Sequence, residues 1–146
     1  MGIFSGMDIS ATGMTAQRTR MDIISENIAN VNTTRDEDGN PYRRKTVVFE
    51  EQGSVPFDDV FNSKLGNGYA AGGVKISQIV EDQSDLKLVY DPTHPDANAD
   101  GYVSYPNVDT VTEMTNMIDS SRAYEASTTA FNACKSMALK GLELLN

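Results

Sequence analysis

The chain has one cysteine, one histidine and no tryptophan in 146 residues. A lone Cys134 rules out an intrachain disulfide or a multi-cysteine zinc cluster, and it says nothing about redox compartment; what remains is a small buried helical thiol. His94 stands between Pro92 and Pro95, so a Ser-His-Asp or Cys-His system would have to use it, and nothing else in the sequence converges on it. Glycine-rich phosphate loops and HExxH are missing as well, so neither catalysis, a cofactor nor a metal site is expected. Basic clusters are almost absent: Arg43-Arg44-Lys45 is the only run, in a chain of formal net charge −9. So few cations neutralise few phosphates, which argues against nucleic acid and anionic membrane surfaces, and the triplet reads as the solvated face of a strand. No apolar run spans a bilayer, so direct membrane insertion is not expected. The N-terminus lacks the basic region, apolar run and small-residue cleavage site of a Sec signal, and Gly6 stands where myristoylation after Gly2 wants Ser or Thr.

What the chain does contain is unevenly placed. All seven methionines lie in residues 1–21 or 114–137, and all five prolines between Pro41 and Pro106. The excess of acids lies almost wholly in residues 36–109. Three zones follow, 1–34, 35–107 and 108–146, of which the outer two read as helices and the middle one does not. Met7, Met14, Met21 and Ile28 recur every seven residues, with Ile24 and Val31 at the second seam position, which is the stripe of a helix running from about Ser5 to Val31. The earlier second-seam places, Ser10 and Gln17, are polar, and Gly13 weakens the middle, so neighbours must supply much of the order.

The helical period returns after Asn107: Val111, Met114, Met117, Ile118, Ser121, Tyr124, Thr128, Phe131, Cys134, Ala138, Leu142 and Leu145 step by three or four, with Asp109 or Asn107 as the cap. At 1.5 Å per residue such a helix runs roughly 55 Å, more than a compact domain of this size houses comfortably, so it must project or pack against other chains. Between the helices, Arg43–Glu50, Gly73–Val80 and Leu86–Tyr90 read as short antiparallel strands, and residues 52–72 as a loop anchored by Phe57, Phe61 and Tyr69. The expected fold is α+β, with two long terminal helices packing as a coiled-coil-like unit around a small antiparallel β-rich middle.

Two motifs have competing readings. Asp96-Ala-Asn-Ala-Asp-Gly101 opens like a calcium loop, but its twelfth position is Asn107 and prolines precede it, so a solvated turn is the better reading. In "SENIANVNTT", residues 25–34, Asn27 and Asn30 share one side of the helix, where their amides would donate and accept across a helix contact and set its register. The alternative is a plain helix stop, a role Asn32 and the two threonines fill in either case. The methionine seam is equally two-sided, serving either an intrachain helix pair or packing between molecules. The small and polar residues within it, and the unequal helix lengths, favour the second.

The stretch "MTAQRTRMDIISENIANVNTT", residues 14–34, resembles the N-terminal signature of the axial proteins of the bacterial flagellum, the rod and hook subunits. "GNPYRRKTVVFEE" at 39–51, "YDPTHPDANADGYVSYPNVD" at 90–109 and "EMTNMIDSSRAYEASTTAFNACKSMALKGLELL" at 113–145 are similar to the proximal-rod members of that family. Arg35–Asp38 is more charged than the family pattern, and 52–72 matches nothing in it. The resemblance implies a non-enzymatic subunit of the basal-body rod in the cell envelope, made in the cytoplasm and exported unfolded by the flagellar type III apparatus. It implies as partners other rod subunits and copies of itself, basal-body ring and export-gate components. The contacts would be carried by Met7, Met14, Met21, Ile24, Asn27, Ile28, Asn30, Val31, Asn32, Met114, Met117, Ile118, Tyr124, Phe131, Leu142 and Leu145. A type III secreted helical adaptor or chaperone-like binding module is the alternative.

Overall fold

The computed structural model describes residues 3–36, 39–52 and 72–144. Helix α1 spans Ile3–Ala29 and helix α2 Thr110–Glu143; between them lie strands β1 (Lys45–Gln52), β2 (Gly73–Glu81), β3 (Lys87–Tyr90) and β4 (Tyr102–Tyr105). The α+β class therefore holds, with a helix at each end. Phe57, Phe61, Tyr69 and Leu145 lie outside the described residues.

Both helices tolerate many serines and threonines because the hydroxyls bond back to their own carbonyls four residues earlier. Ser10 does so to Gly6, Ser120 to Asn116, Ser127 to Ala123 and Thr128 to Tyr124. A polar residue thus enters a helix contact without an orphan donor. Helix α2 begins at Asp109, whose carboxylate accepts from the Thr112 amide at 3.1 Å and the Thr112 hydroxyl at 2.5 Å. Those two bonds, the hydroxyl's first, hold the Asp109 carboxyl below its ordinary range, as expected of an N-cap anion.

Strands β1 and β2 form one two-stranded sheet and β3 and β4 another. The Asp82 amide donates to the Arg44 carbonyl at 2.7 Å, and the Thr46 hydroxyl to that of Val80 at 3.2 Å, an antiparallel pairing. Strand β4 adds to the sequence reading, which named three strands in the middle and did not pick out Tyr102–Tyr105 as a fourth. It pairs antiparallel with β3, Leu88 opposite Ser104 and Tyr90 opposite Tyr102. Four residues between a glycine turn and Pro106 are too short to show a period, and only the partner strand defines them.

The loop from Asp91 to Gly101 closes on itself. The Asp91 amide donates to the Gly101 carbonyl at 2.9 Å, and the Asn98 carboxamide oxygen accepts from the Asp100 and Tyr102 amides at 3.0 and 2.8 Å. Gly101 takes φ +78°, and a Cβ there would lie 3.0 Å from the Tyr90 ring. The calcium-like spacing is thus the spacing of a turn, in which Asn98 spends its oxygen on local amides while Asp96 accepts from the Thr34 hydroxyl at 2.8 Å.

The described residues group into two units. One comprises those within 1–18, 49–77 and 121–146. Here α1 meets α2 through small side chains: a Cβ on Gly6 would come 3.1 Å from Cys134 Sγ, and one on Gly13 3.2 Å from Ser127 Oγ. Thr128 donates to Met14 Sδ at 3.3 Å. Thr12 accepts from the Val74 amide at 3.2 Å, tying β2 to the helix. The close approach of the two helices in this unit thus falls at Gly6 and Gly13, one residue before Met7 and Met14, with Met14 at its edge, and Gly13, which looked like a weakness, is part of the contact. Close approach of two backbones favours residues with little or no side chain, which no count of apolar residues reveals.

The other unit comprises those within 19–48 and 78–120. Ile24, Tyr42, Val103, Pro106 and Val108 are buried in it, together with Asn27, Glu113 and Ser120. Its interior is nearly as polar as it is apolar.

Candidate assembly site

Asn27 and Glu113 are both fully buried in the second unit, and each is held by several hydrogen bonds. Asn27 sits in the last turns of α1. Its carboxamide nitrogen donates to the Lys45 carbonyl at 2.8 Å and to Glu113 Oε2 at 3.0 Å. Its oxygen accepts from the Tyr42 hydroxyl and the Lys45 amide, each at 2.9 Å. All four hydrogen-bonding positions of the amide are occupied, so a buried polar residue costs little here and any replacement leaves partners stranded.

Glu113, in the first turn of α2, also accepts from Arg44 Nε at 2.9 Å, and Arg44 Nη2 lies 2.8 Å from the same oxygen. The favourable end of the helix dipole adds to that pairing. Arg44 further reaches Asp82 at 3.7 Å, and its amide donates to Asn107 at 2.8 Å. The Asn107 amide in turn donates to the Asp82 carbonyl at 3.0 Å and the Ser84 hydroxyl at 2.8 Å. Asp109, not Asn107, caps the helix, which frees Asn107 for this role. Lys45 pairs with Glu26 at 2.6 Å and lies 5.4 Å from the Tyr42 ring centre.

The basic triplet is therefore not the solvated face that the sequence suggested. Arg44 and Lys45 are half-buried in ion pairs, and Arg43 donates to the Asp82 and Ser84 carbonyls at 3.4 and 3.2 Å. Local composition identifies cations but not their partners, which come from α1, α2 and the turn after β2. The one available signal was Glu113, an acid directly before the stripe position Met114 in an otherwise weakly charged helix start.

Burial and the nearby charges of Glu26, Glu113 and Glu81 push the Tyr42 phenol up to about 12 from its usual 10. The folded unit then holds that proton over a range where the unfolded chain has lost it. Its contribution to stability is complete below pH 10 and disappears as pH rises toward 12. In an ultraviolet titration Tyr42→Phe should remove an ionisation step near pH 12 that the parent shows. Identical alkaline titration curves for the two proteins would contradict the burial of this phenol.

Asn30 works differently from Asn27. Its amide donates to the Glu26 carbonyl at 2.9 Å and its oxygen accepts from the Thr33 hydroxyl at 3.1 Å, so it finishes α1. Asn27 thus makes a polar contact to the other helix, while Asn30 ends its own. Asn32 is exposed, and Met21, Ile28 and Val31 are half-buried beside the buried Ile24. In the same unit Met117 is half-buried, whereas Val111, Met114 and Ile118 are 72, 55 and 52% exposed, three apolar side chains on one face of α2. In the first unit Met7, Met14 and Phe131 are half-buried, and Tyr124 and Leu142 exposed. Among the described residues no group of acids, histidines and cysteines is arranged to hold a metal, and no helix is long and apolar enough to cross a membrane.

These helix faces lie where two family profiles match: residues 7–35 fit "Flagella basal body rod protein", and residues 99–144 fit "Flagellar basal body rod FlgEFG protein C-terminal". Similarity to characterised proteins extends along the whole chain. The flagellar basal-body rod protein FlgC of Bacillus subtilis is 50% identical, with 99% of each chain covered, and that of Borreliella burgdorferi 46%, with the same coverage. FlgC of Salmonella typhimurium is 40% identical over 99% of this chain and 98% of its own. With both helical ends and 99% of its length matched, the chain belongs to the FlgC family of flagellar basal-body rod proteins.

Proposed function

We propose that this chain, a structural subunit of the flagellar basal-body rod, enters that assembly through the unpaired faces of its two terminal helices. The observation that carries this reading is the exposed row Val111, Met114 and Ile118 on α2. Apolar side chains on one helix face that stay more than half exposed among the described residues suit helix-on-helix packing between subunits, which would remove them from water at about 1.5–3 kcal/mol each. The half-buried methionines of α1 suit the same packing, their unbranched side chains adapting to neighbours of different sequence. The fitting partners are sibling rod subunits and further copies of this chain, with basal-body ring and export-gate components at the rod's base. The route is the flagellar type III apparatus, and the place a rod crossing the periplasm.

Cysteine-directed cross-linking in isolated basal bodies tests this. Met114→Cys and Ile118→Cys should give adducts with rod subunits, whereas the neighbouring exposed Asp119→Cys should give far fewer. Equal yields from all three positions would remove the α2 face from the interface.

A further inference from the structure

We propose that the Asn27–Glu113 contact chooses the register in which α1 and α2 pair, and does not merely strengthen the pairing. Four observations bear on this. The close contacts seen elsewhere along the two helices are mostly small on small, Gly6 with Cys134 and Gly13 with Ser127, one heptad apart on each helix, with Thr128 on Met14 beside them. A seven-residue slide would set Gly13 opposite Cys134 and forfeit little, because seams of small residues repeating every seven are nearly equivalent to themselves after a slide.

Asn27 and Glu113 occupy the same heptad phase as those small residues, and they are not interchangeable with them. The amide nitrogen reaches Glu113 Oε2 at 3.0 Å with both groups fully buried. In a slid pairing Asn27 would face Ser120, whose hydroxyl already donates to its own helix at Asn116. Glu113 would then stay buried without the Asn27 amide, a penalty that falls on the wrong register alone.

The third observation is that each partner is anchored to an element outside the helix pair. Asn27 is held from two sides by the Lys45 backbone and by Tyr42, and Glu113 by Arg44. The segment 42–45 that leads into β1 therefore clamps both helices at one level, and neither can slide without breaking those contacts. Finally, apolar burial offers no competing selector, since Ile24 is the only fully apolar side chain of either helix that is buried in this unit among the described residues.

The test maps register directly, using reporters one heptad from the hub in a Cys134→Ser background. Arg20→Cys with Ser120→Cys reports the native register, and Arg20→Cys with Ser127→Cys a slide of one heptad. With the hub intact, mild oxidation should cross-link the first pair at least tenfold more than the second. In Arg44→Met/Glu113→Leu, which removes both charges and leaves apolar groups of similar volume, the two yields should approach each other while circular dichroism keeps its helical signal. Glu113→Gln, which retains an oxygen for Asn27, should keep the native preference. A native-only pattern in Arg44→Met/Glu113→Leu would overturn the proposal, as would loss of its helical signal, because the contact would then hold the fold and not select among pairings.

Discussion

Glu113→Ala is expected to cost the unit that contains it about 3 kcal/mol, measured as the loss in unfolding free energy by urea titration. The Arg44 guanidinium and the Asn27 amide both lose a buried oxygen at 2.8–3.0 Å. Removing one member of a buried ion pair costs about 3–5 kcal/mol, because the other is left in a poorly solvating interior. The lower end applies here since Arg44 retains Asp82 and an exposed edge, with 22% of its side chain accessible. Asp119→Ala, one helix turn and a half away on an exposed position, should change stability by less than about 0.5 kcal/mol. Equal effects at the two positions would mean that the hub adds nothing beyond helix propensity.

The largest effect on function is expected at Ile118. Ile118→Asp should leave the free protein as stable as the parent, because the side chain it replaces is 52% exposed. In a subunit contact the same carboxylate would have to shed its water against an apolar neighbour without a cation to meet it, a cost of several kcal/mol repeated at every copy. The variant should therefore be made and exported yet fail to appear in isolated basal bodies, and cells depending on it should not swim. Normal motility with Ile118→Asp would place the α2 row in solvent in the assembled state.

Much of this architecture follows from the order of residues alone. Heptad spacing and the confinement of proline to the middle determined two terminal helices, since a 3.6-residue period and a missing backbone N–H act within a few residues of themselves. The turn at 96–101 was legible for the same local reason, as was a capping role for Asp109. The sequence also singled out Asn27 as a residue able to set a helix register. It could not supply Glu113, Arg44 and Tyr42 as the groups that occupy that amide, because they come from separate elements of the chain. Nor could it show that Gly6 and Gly13 carry the intrachain contact while the methionines beside them stand half-buried. Periodicity reports which residues share a face; how closely two backbones approach across that face depends on the side chains that meet there, and tertiary packing alone brings those together.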